Sequence, residues 1–163
     1  MAQEQSIRSW DIDISIETEA LEEHEDSIRL FLLGCLSELS DEPISESVSH
    51  VSILITNDAV VQELNATYRG KDRPTDVLSF SQLEGEEIGS ESLGDIVISL
   101  DTAVRQAKEF QVTLSQELSR LLVHGLLHLF LYDHENVPEA EAERMFEKQE
   151  EILVRHELPP FTL

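Results

Sequence analysis

Short alternating segments of the chain predict the strands of a small β-sheet. The segment WDIDISIE, at residues 10–17, alternates strictly between apolar and polar positions, which is typical of a strand with one buried face. Three further segments predict strands: HVSILIT at 50–56, VLSFS at 77–81 and LGDIVISL at 93–100. We therefore expect about four strands.

Helical periodicity occupies most of the chain between these strands. Asn57 is a good N-cap, and Asp101 is a plausible cap for the helix that follows the last strand. Thr113 and Gln116 form a capping box at the start of a helix that is apolar on nearly all sides and should be buried. The predicted helices span about 23–39, 57–64, 102–110, 114–130 and 138–158.

Two loops between the predicted elements have a distinctive amino-acid composition. YRGKDRPTD, at 68–76, predicts a loop that leads into the third strand, and the acidic, glycine-bearing QLEGEEIGSES, at 82–92, is the segment we expect to be most mobile. The chain shows no repeat and no low-complexity linker, and its 163 residues suit one domain, so we predict a single layered domain of strands and helices over 1–163.

Composition narrows the class of protein. The single cysteine, Cys35, lies on the apolar side of a predicted helix, where we interpret it as a core residue, and one thiol suits a reducing compartment. The first residues form no apolar leader and no apolar run is long enough to span a membrane, so we expect a cytoplasmic protein without membrane contact. A formal charge of −23 argues, taken alone, against a nucleic-acid binder.

Three of the six histidines crowd into the eleven residues HGLLHLFLYDH. His124 and His128 are four apart, so on a helix both rings can reach one ion. His134 would lie about 15 Å further along the axis of a continuous helix, so the helix must end after about Phe130 and the chain must fold back. Three neutral nitrogen ligands with one position left open to water are typical of catalytic zinc, which can lower the pKa of water to about 7.

The residue that follows the first histidine bears on the chemistry. The spacing H-x3-H-x5-H is shared with zinc peptidases whose motif begins HExxH, but this chain has Gly125 where they have the glutamate base. This difference favours a metal-dependent hydrolase of another kind. A zinc-dependent peptide or amide hydrolase stays an alternative, with Glu135 or the acidic loop as the base.

A local cluster of bases contrasts with the acidity of the chain. Arg69, Lys71 and Arg73 lie within five residues, and the chain has only eleven lysines and arginines. An arginine beside a metal site suits a phosphodiester, because it can neutralise the non-bridging oxygens as charge builds in the transition state. Lys71 and Arg73 either bind substrate in the same way or form a solvated loop.

These segments together resemble the YbeY family of metal-dependent endoribonucleases. The family hallmark H-G-x-L-H-L-x-G-Y-D-H is matched by residues 124–134, the upstream signature NxxYRGKDxPTDVLSF by 65–80, and LGDI by 93–96. The order and spacing agree from about Val51 onward. Two positions depart from the family pattern: Leu131 stands where a glycine is common, and Ser81 where a proline is frequent.

The resemblance implies a fold, an activity and partners. The fold would be α+β, a single domain with a small mixed four-stranded sheet packed by about five helices, one of them a zinc-hydrolase-like active-site helix. His124, His128 and His134 would hold one zinc ion, and Arg69 would lie at the catalytic cleft. The activity would be a zinc-dependent, single-strand-specific endoribonuclease, in which metal-activated water or the 2′-hydroxyl attacks the phosphodiester.

The implied substrate is precursor small-subunit ribosomal RNA, and the implied setting is ribosome biogenesis. Because the net charge weakens long-range attraction to RNA, docking through a ribosomal protein or a ribosome-associated GTPase is a further hypothesis. A non-catalytic ribosome-assembly factor with a structural zinc is the remaining alternative. Leu131 is the reason to retain this alternative. A left-handed conformation at this position costs about 1–2 kcal/mol, and the strain could displace His134.

Overall fold

The computed structural model describes residues 9–82 and 91–161. The strands are β1 (Asp11–Ile16), β2 (His50–Thr56), β3 (Val77–Ser81) and β4 (Ser92–Ser99). The α-helices are α1 (Glu25–Ser37), α2 (Asp58–Arg69), α3 (Leu100–Glu109), α4 (Leu114–Leu129) and α5 (Glu139–Arg155). Two 3-10 helices, Glu19–His24 and Pro43–Glu46, flank α1. The α+β fold with four strands and five α-helices is confirmed.

The four strands form one mixed sheet in the order β1-β2-β4-β3. β1, β2 and β4 run parallel, with Ile14 beside Ile53 and Ile53 beside Ile96, whereas β3 pairs antiparallel with β4 at the edge. The hydroxyls of Ser79 and Ser81 on β3 donate to carbonyl oxygens of α4, so this edge strand lies directly beside the histidine helix.

The core lies on one face of the sheet, as the alternation of β1 predicts. Ile12 and Ile14 are buried there, while their neighbours Asp11 and Asp13 are exposed. α1 and α4 pack against this face, and α4 is buried along most of its length, whereas α2 covers part of the opposite face. Cys35 belongs to the core, and burial raises the pKa of its thiol to about 12.

α2 is longer than predicted. It continues past Leu64 to Arg69 and ends only at Gly70, which adopts the left-handed conformation with φ 69°. Tyr68 and Arg69 are therefore helical, and the prediction that the loop begins at residue 68 is wrong. Glycine adopts this conformation without steric strain, so its position marks the end of the helix better than the polar character of the segment does.

The predicted cap of α3 is also wrong. The hydroxyl of Ser99, not Asp101, accepts the N–H of Thr102, and α3 begins at Leu100. Asp101 instead accepts the N–H of Asp58, the first residue of α2, at 3.0 Å. A sequence pattern identifies a capping side chain but does not show which helix it caps once two helix starts lie side by side.

Other predicted features agree with the structure where it describes them. Both hydrogen bonds of the capping box between Thr113 and Gln116 are present. The acidic loop predicted at 82–92 lies largely outside the described residues. Within the part of the chain that the structure describes, no helix has the length and hydrophobicity needed to cross a membrane.

Candidate metal centre and its cleft

His124 and His128 lie on consecutive turns of α4 and face the same side. Their Nε2 atoms are 3.1 Å apart, and the ring centroids are 4.6 Å apart. Two nitrogens bound to one tetrahedral zinc, each about 2.0–2.1 Å from it, would be about 3.3 Å apart. The helix therefore presents the two rings at a separation that one ion can bridge.

α4 ends directly after this pair, as the spacing of His134 requires. Leu131 adopts the left-handed conformation, with φ 68°, and its N–H donates to the carbonyl of His128 at 2.9 Å. The N–H of Tyr132 donates to the carbonyl of Leu127 at 3.0 Å. These two bonds form a Schellman motif, which usually has glycine at the position of Leu131. The leucine thus adopts the strained conformation and the turn still forms.

Asp133 fixes the backbone that carries the third histidine. Its Oδ1 accepts the N–H of His134 at 2.7 Å and the N–H of Glu135 at 3.0 Å. The bond from Glu135 is the largest of the effects that lower the pKa of Asp133. The carboxylate of Asp133 therefore caps the turn that carries His134.

The three histidines converge. One nitrogen from each of His124, His128 and His134 lies within 4.8 Å of the other two, and the centroid of the His134 ring is 5.0 Å from that of His124. His24, His50 and His156 lie outside this cluster. Three imidazole nitrogens around one point could hold a metal ion.

Gln149 of α5 orients the first ring of the cluster. This residue is 4 % exposed, and its Oε1 lies 3.0 Å from Nδ1 of His124, so that Nδ1–H donates and Nε2 keeps its lone pair for a ligand. Burial lowers the pKa of His124, and this effect outweighs the hydrogen bond to Gln149, which acts to raise it. Burial, with the neighbouring histidines, also lowers the pKa of His128 to about 4, so both rings are neutral at pH 7, as metal ligands must be.

Tyr132 anchors the turn from its other side. Its hydroxyl donates to a carboxylate oxygen of Glu42, and the Arg144 guanidinium lies 4.9 Å from the centre of its ring. Glu42 precedes the 3-10 helix at Pro43–Glu46, and Arg144 belongs to α5. The turn that carries His134 is thus fixed to two separate parts of the fold.

Gly125 faces the sheet and not the cluster. A Cβ atom at this position would lie 3.0 Å from Cγ2 and 3.1 Å from Cδ1 of Ile96 on β4. A glutamate at this position would require Ile96 to give way by a few tenths of an ångström, so the close approach of α4 to β4 is a packing reason for glycine here. Glu135, the other candidate base, does line the cleft beside the histidines.

The predicted basic residue Arg69 lies at the same cleft. Its Nη2 donates to the carbonyl of Ser79 on β3 at 2.8 Å, and its guanidinium carbon lies 5.7 Å from the centre of the Phe80 ring. The bond to Ser79 uses one of five N–H donors and leaves the others available. Arg69 is therefore held at the edge of the sheet by its backbone bond.

Lys71 and Arg73 extend this basic wall. Both are exposed and line the cleft, and the buried Asn65 holds their loop by donating to the carbonyl of Arg73 at 2.9 Å. Among the described residues, no carboxylate lies within ion-pair distance of Arg69, Lys71 or Arg73. Their positive charges are thus free of internal partners in that part of the chain.

All six predicted site residues line one groove of about 900 Å³. The sequence did not indicate two further residues of the site. Arg120 lines the groove one turn before His124 and is ion-paired with the buried Glu117 and with Asp76 at 3.7 Å. Gln149 is buried behind His124, and a polar residue among the apolar positions of α5 is the signal that could have indicated a buried partner.

The chain is similar to known proteins of one family. A family model described as Endoribonuclease YbeY matches residues 13–157. A protein of Symbiobacterium thermophilum named Endoribonuclease YbeY is 47 % identical over 141 residues, covering 83 % of this chain and 88 % of the relative. One of Aquifex aeolicus with the same name is 50 % identical over 106 residues, covering 64 % and 69 %. The solution structure of TM1509 from Thermotoga maritima is similar with a TM-score of 0.58 and 32 % identity, covering 87 % and 86 % of the two chains.

Proposed function

The chain belongs to the YbeY family, and from this premise we propose that it is a zinc-dependent endoribonuclease that cleaves single-stranded RNA. The observation that carries the proposal is the meeting, in one cleft, of three histidines and three basic side chains that have no carboxylate partner among the described residues. The histidines supply a site for a metal ion, and the basic residues supply a surface for phosphate groups. Neither feature alone distinguishes a nuclease from other metal-dependent hydrolases.

His124, His128 and His134 would hold the zinc ion, one per chain. When bound at such a site, zinc lowers the pKa of water and neutralises charge on a phosphoryl oxygen. Gln149 contributes by holding His124 in the tautomer that leaves Nε2 available. The turn at Leu131–Asp133 contributes by presenting His134 on the same side as the helix pair.

Arg69 stabilises the reacting phosphodiester. As the phosphate gains charge in the transition state, a guanidinium that is already positioned can donate to its non-bridging oxygens without reorganisation. Lys71 and Arg73 bind the phosphates of neighbouring nucleotides. The attacking group is either an activated water or the 2′-hydroxyl of the RNA, and in both cases a P–O ester bond of the backbone breaks.

The biological substrate that we propose is precursor small-subunit ribosomal RNA, processed in the cytoplasm during ribosome biogenesis. The charge of −23 repels RNA at long range, so we propose that a ribosomal protein or a ribosome-associated GTPase brings the substrate to the cleft. A pull-down from a lysate of the source organism, with the tagged chain, tests this part. Recovery of no ribosomal component would contradict it.

The activity itself is tested on the wild type and on His128→Ala, both prepared without added metal. The matched control is His50→Ala, because His50 lies at the start of β2 outside the cluster. We expect about one zinc per chain by mass spectrometry in the wild type and in the control, with cleavage of single-stranded RNA, and loss of both in His128→Ala.

Two other outcomes separate the alternatives. Zinc without cleavage of RNA would support an assembly factor with a structural zinc, or, if peptide substrates are hydrolysed, an amide hydrolase. Absence of zinc from the wild type at neutral pH would contradict the metal centre as a whole.

A further inference from the structure

The cleft has an apolar side that the proposed chemistry does not use. Phe146 on α5 is 50 % exposed, lines the cleft, and has its ring centroid 5.8 Å from that of His134. α5 buries Met145, Gln149 and Ile152 against the protein. Phe146 is one residue further than Met145, about 100° around the helix, and this rotation carries it away from the core.

A second exposed apolar side chain lies at the same place. Leu131 is 47 % exposed and also lines the cleft, on the turn that carries His134. Large apolar side chains that are exposed in a cleft indicate a binding site more strongly than scattered ones do. The reason is that proteins rarely expose grouped apolar side chains where nothing binds. Arg69, Lys71 and Arg73 come from the end of α2 and the loop that follows it, whereas Leu131 follows α4 and Phe146 belongs to α5.

We propose that Phe146 and Leu131 form a subsite for one unpaired nucleobase of the RNA, next to the phosphate that is cleaved. The proposal rests on the proposed function and specifies how its substrate is selected. A single strand of RNA offers an anionic backbone and free aromatic faces, and this cleft offers a cationic surface and a free aromatic face. Bases stack on exposed phenylalanine, tyrosine or tryptophan rings in many proteins that bind single strands.

The subsite explains a preference for single strands in physical terms. Inside a duplex both faces of a base are covered by its neighbours, and the base must leave the stack before it can contact Phe146. An unpaired base meets no such cost. The basic residues bind the phosphates of a single strand and of a duplex alike. The apolar side of the cleft must therefore distinguish the single strand from the duplex.

The competing interpretation is that Phe146 only shields His134 from water. Substitution of Phe146 would then disturb the metal centre and weaken RNA binding indirectly. The two interpretations differ in one respect: stacking needs a base on the RNA, whereas shielding does not. An oligonucleotide that lacks bases therefore separates them.

The experiment measures binding by fluorescence anisotropy with labelled single strands of about twelve nucleotides, a length within the usual site size. One strand is intact, one carries abasic residues along its centre, and one is annealed to its complement; recovery of intact RNA is checked on a gel. The proteins are the wild type, Phe146→Ala, Phe146→Trp and the control Phe110→Ala. Phe110 is 53 % exposed and follows α3 away from the cleft.

We expect Phe146→Ala to bind the intact single strand about tenfold more weakly, and to bind the abasic strand and the duplex as the wild type does. Phe146→Trp keeps an aromatic face and should retain affinity, and Phe110→Ala should match the wild type. Zinc content, measured on every sample, should be unchanged. Equal affinity of Phe146→Ala and wild type for the intact strand, or an equal loss on the abasic strand, would overturn the subsite.

Cleavage assays on the same samples keep this inference separate from the proposed function. If the wild type cleaves RNA and Phe146→Ala binds it unchanged, the subsite is wrong and the nuclease stands. If binding depends on Phe146 and on bases but no protein cleaves, the subsite stands and the hydrolytic activity is wrong. If the wild type binds no RNA, both are wrong.

Discussion

The side-chain oxygen of Gln149 lies 3.0 Å from Nδ1 of His124, and the two residues are 25 positions apart in the chain. This hydrogen bond joins α5 to His124, the first of the three candidate metal ligands. It decides which nitrogen of His124 carries the proton, and hence which one is available to a metal ion. The metal centre therefore depends on the packing of the last helix as much as on the histidine motif.

Removal of this bond should weaken metal binding without removing a ligand. We expect Gln149→Leu, which keeps the shape of the buried side chain, to lower zinc affinity about 10- to 100-fold, as loss of such partners usually does. Gln149→Glu retains an acceptor oxygen, so its zinc affinity should fall less than that of Gln149→Leu. Competition with a chelator of known affinity at pH 7 measures both variants, and equal affinity of Gln149→Leu and wild type would contradict the role.

Replacement of Leu131 by glycine should stabilise the protein. The left-handed conformation costs leucine about 1–2 kcal/mol, and the added freedom of glycine in the unfolded chain offsets about 0.5–1 kcal/mol of the gain. We expect a net increase of about 1 kcal/mol in the free energy of unfolding, measured by denaturant titration.

The opposite change at an equivalent position is the control for Leu131→Gly. Gly70 has φ 69°, and a Cβ atom there would meet nothing within 4 Å, so Gly70→Ala tests backbone strain alone. Gly70→Ala should lower the free energy of unfolding by about 1 kcal/mol. A Leu131→Gly variant less stable than wild type would show that packing of the leucine outweighs its strain.

Arg69→Lys should reduce RNA cleavage and leave the metal centre intact. Lysine keeps the charge but lacks the planar set of donors that can bind a backbone carbonyl and phosphate oxygens together. Removal of one positioned donor from a transition state commonly costs about 100-fold in rate, and we expect a loss of that order. Arg155→Lys, at an exposed ion pair with Glu38, is the matched control and should cleave RNA normally. Retention of full activity in Arg69→Lys would exclude a catalytic role for the guanidinium.

Asp58 should make the protein sensitive to acid. Burial acts to raise the pKa of Asp58, but hydrogen bonds from the hydroxyls of Ser99 and Thr102, both at 2.6 Å, and the Arg105 guanidinium at 2.8 Å outweigh it and lower the pKa. A carboxylate with a lowered pKa stabilises the fold fully above its unfolded pKa of about 3.9. This contribution is lost as the pH falls through the lower pKa of the folded state.

We therefore expect Asp58→Asn to unfold about 1–2 kcal/mol more easily than wild type at pH 7, with the difference shrinking below about pH 4. Asp26→Asn is the control, because Asp26 is 97 % exposed and its ion pair with Arg29 is long, at 3.6 Å. Denaturant titrations from pH 7 to pH 3 provide the measurement. A difference between Asp58→Asn and wild type that stays constant with pH would refute the electrostatic explanation.

The local features of the fold were predictable because they depend on neighbours in the sequence. The capping box of Thr113 and Gln116 involves residues three apart, and the break after Phe130 follows from the need to return His134 to the helix pair. Each of these two features involves residues of a single segment of the chain. The convergence of the histidines could be predicted from such local geometry, whereas the contacts of Gln149 and Tyr132 that hold the rings and the turn in place could not.

The features that sequence reasoning missed depend on contacts between segments. Asp101 caps α2 and not its own helix, because β4 brings the starts of α2 and α3 together. Arg120 is turned toward the cleft by pairing with Glu117 and Asp76, and Asp76 lies 44 positions earlier in the chain. No periodicity encodes these pairings, since they arise only when the sheet and helices are assembled.

Gly125 limits which reactions this scaffold can acquire. A Cβ atom at that position would lie 3.0 Å from Cγ2 of Ile96, so a larger residue there would require Ile96 to shift by a few tenths of an ångström. An exchange of glycine for glutamate, which would supply the base of the HExxH peptidases, would therefore also require an adjustment of Ile96. The packing of α4 on β4 is thus coupled to the choice of residue beside the first histidine. The contact between α4 and β4 thus bears on which base this chain could place beside its three histidines, and not only on the stability of its core.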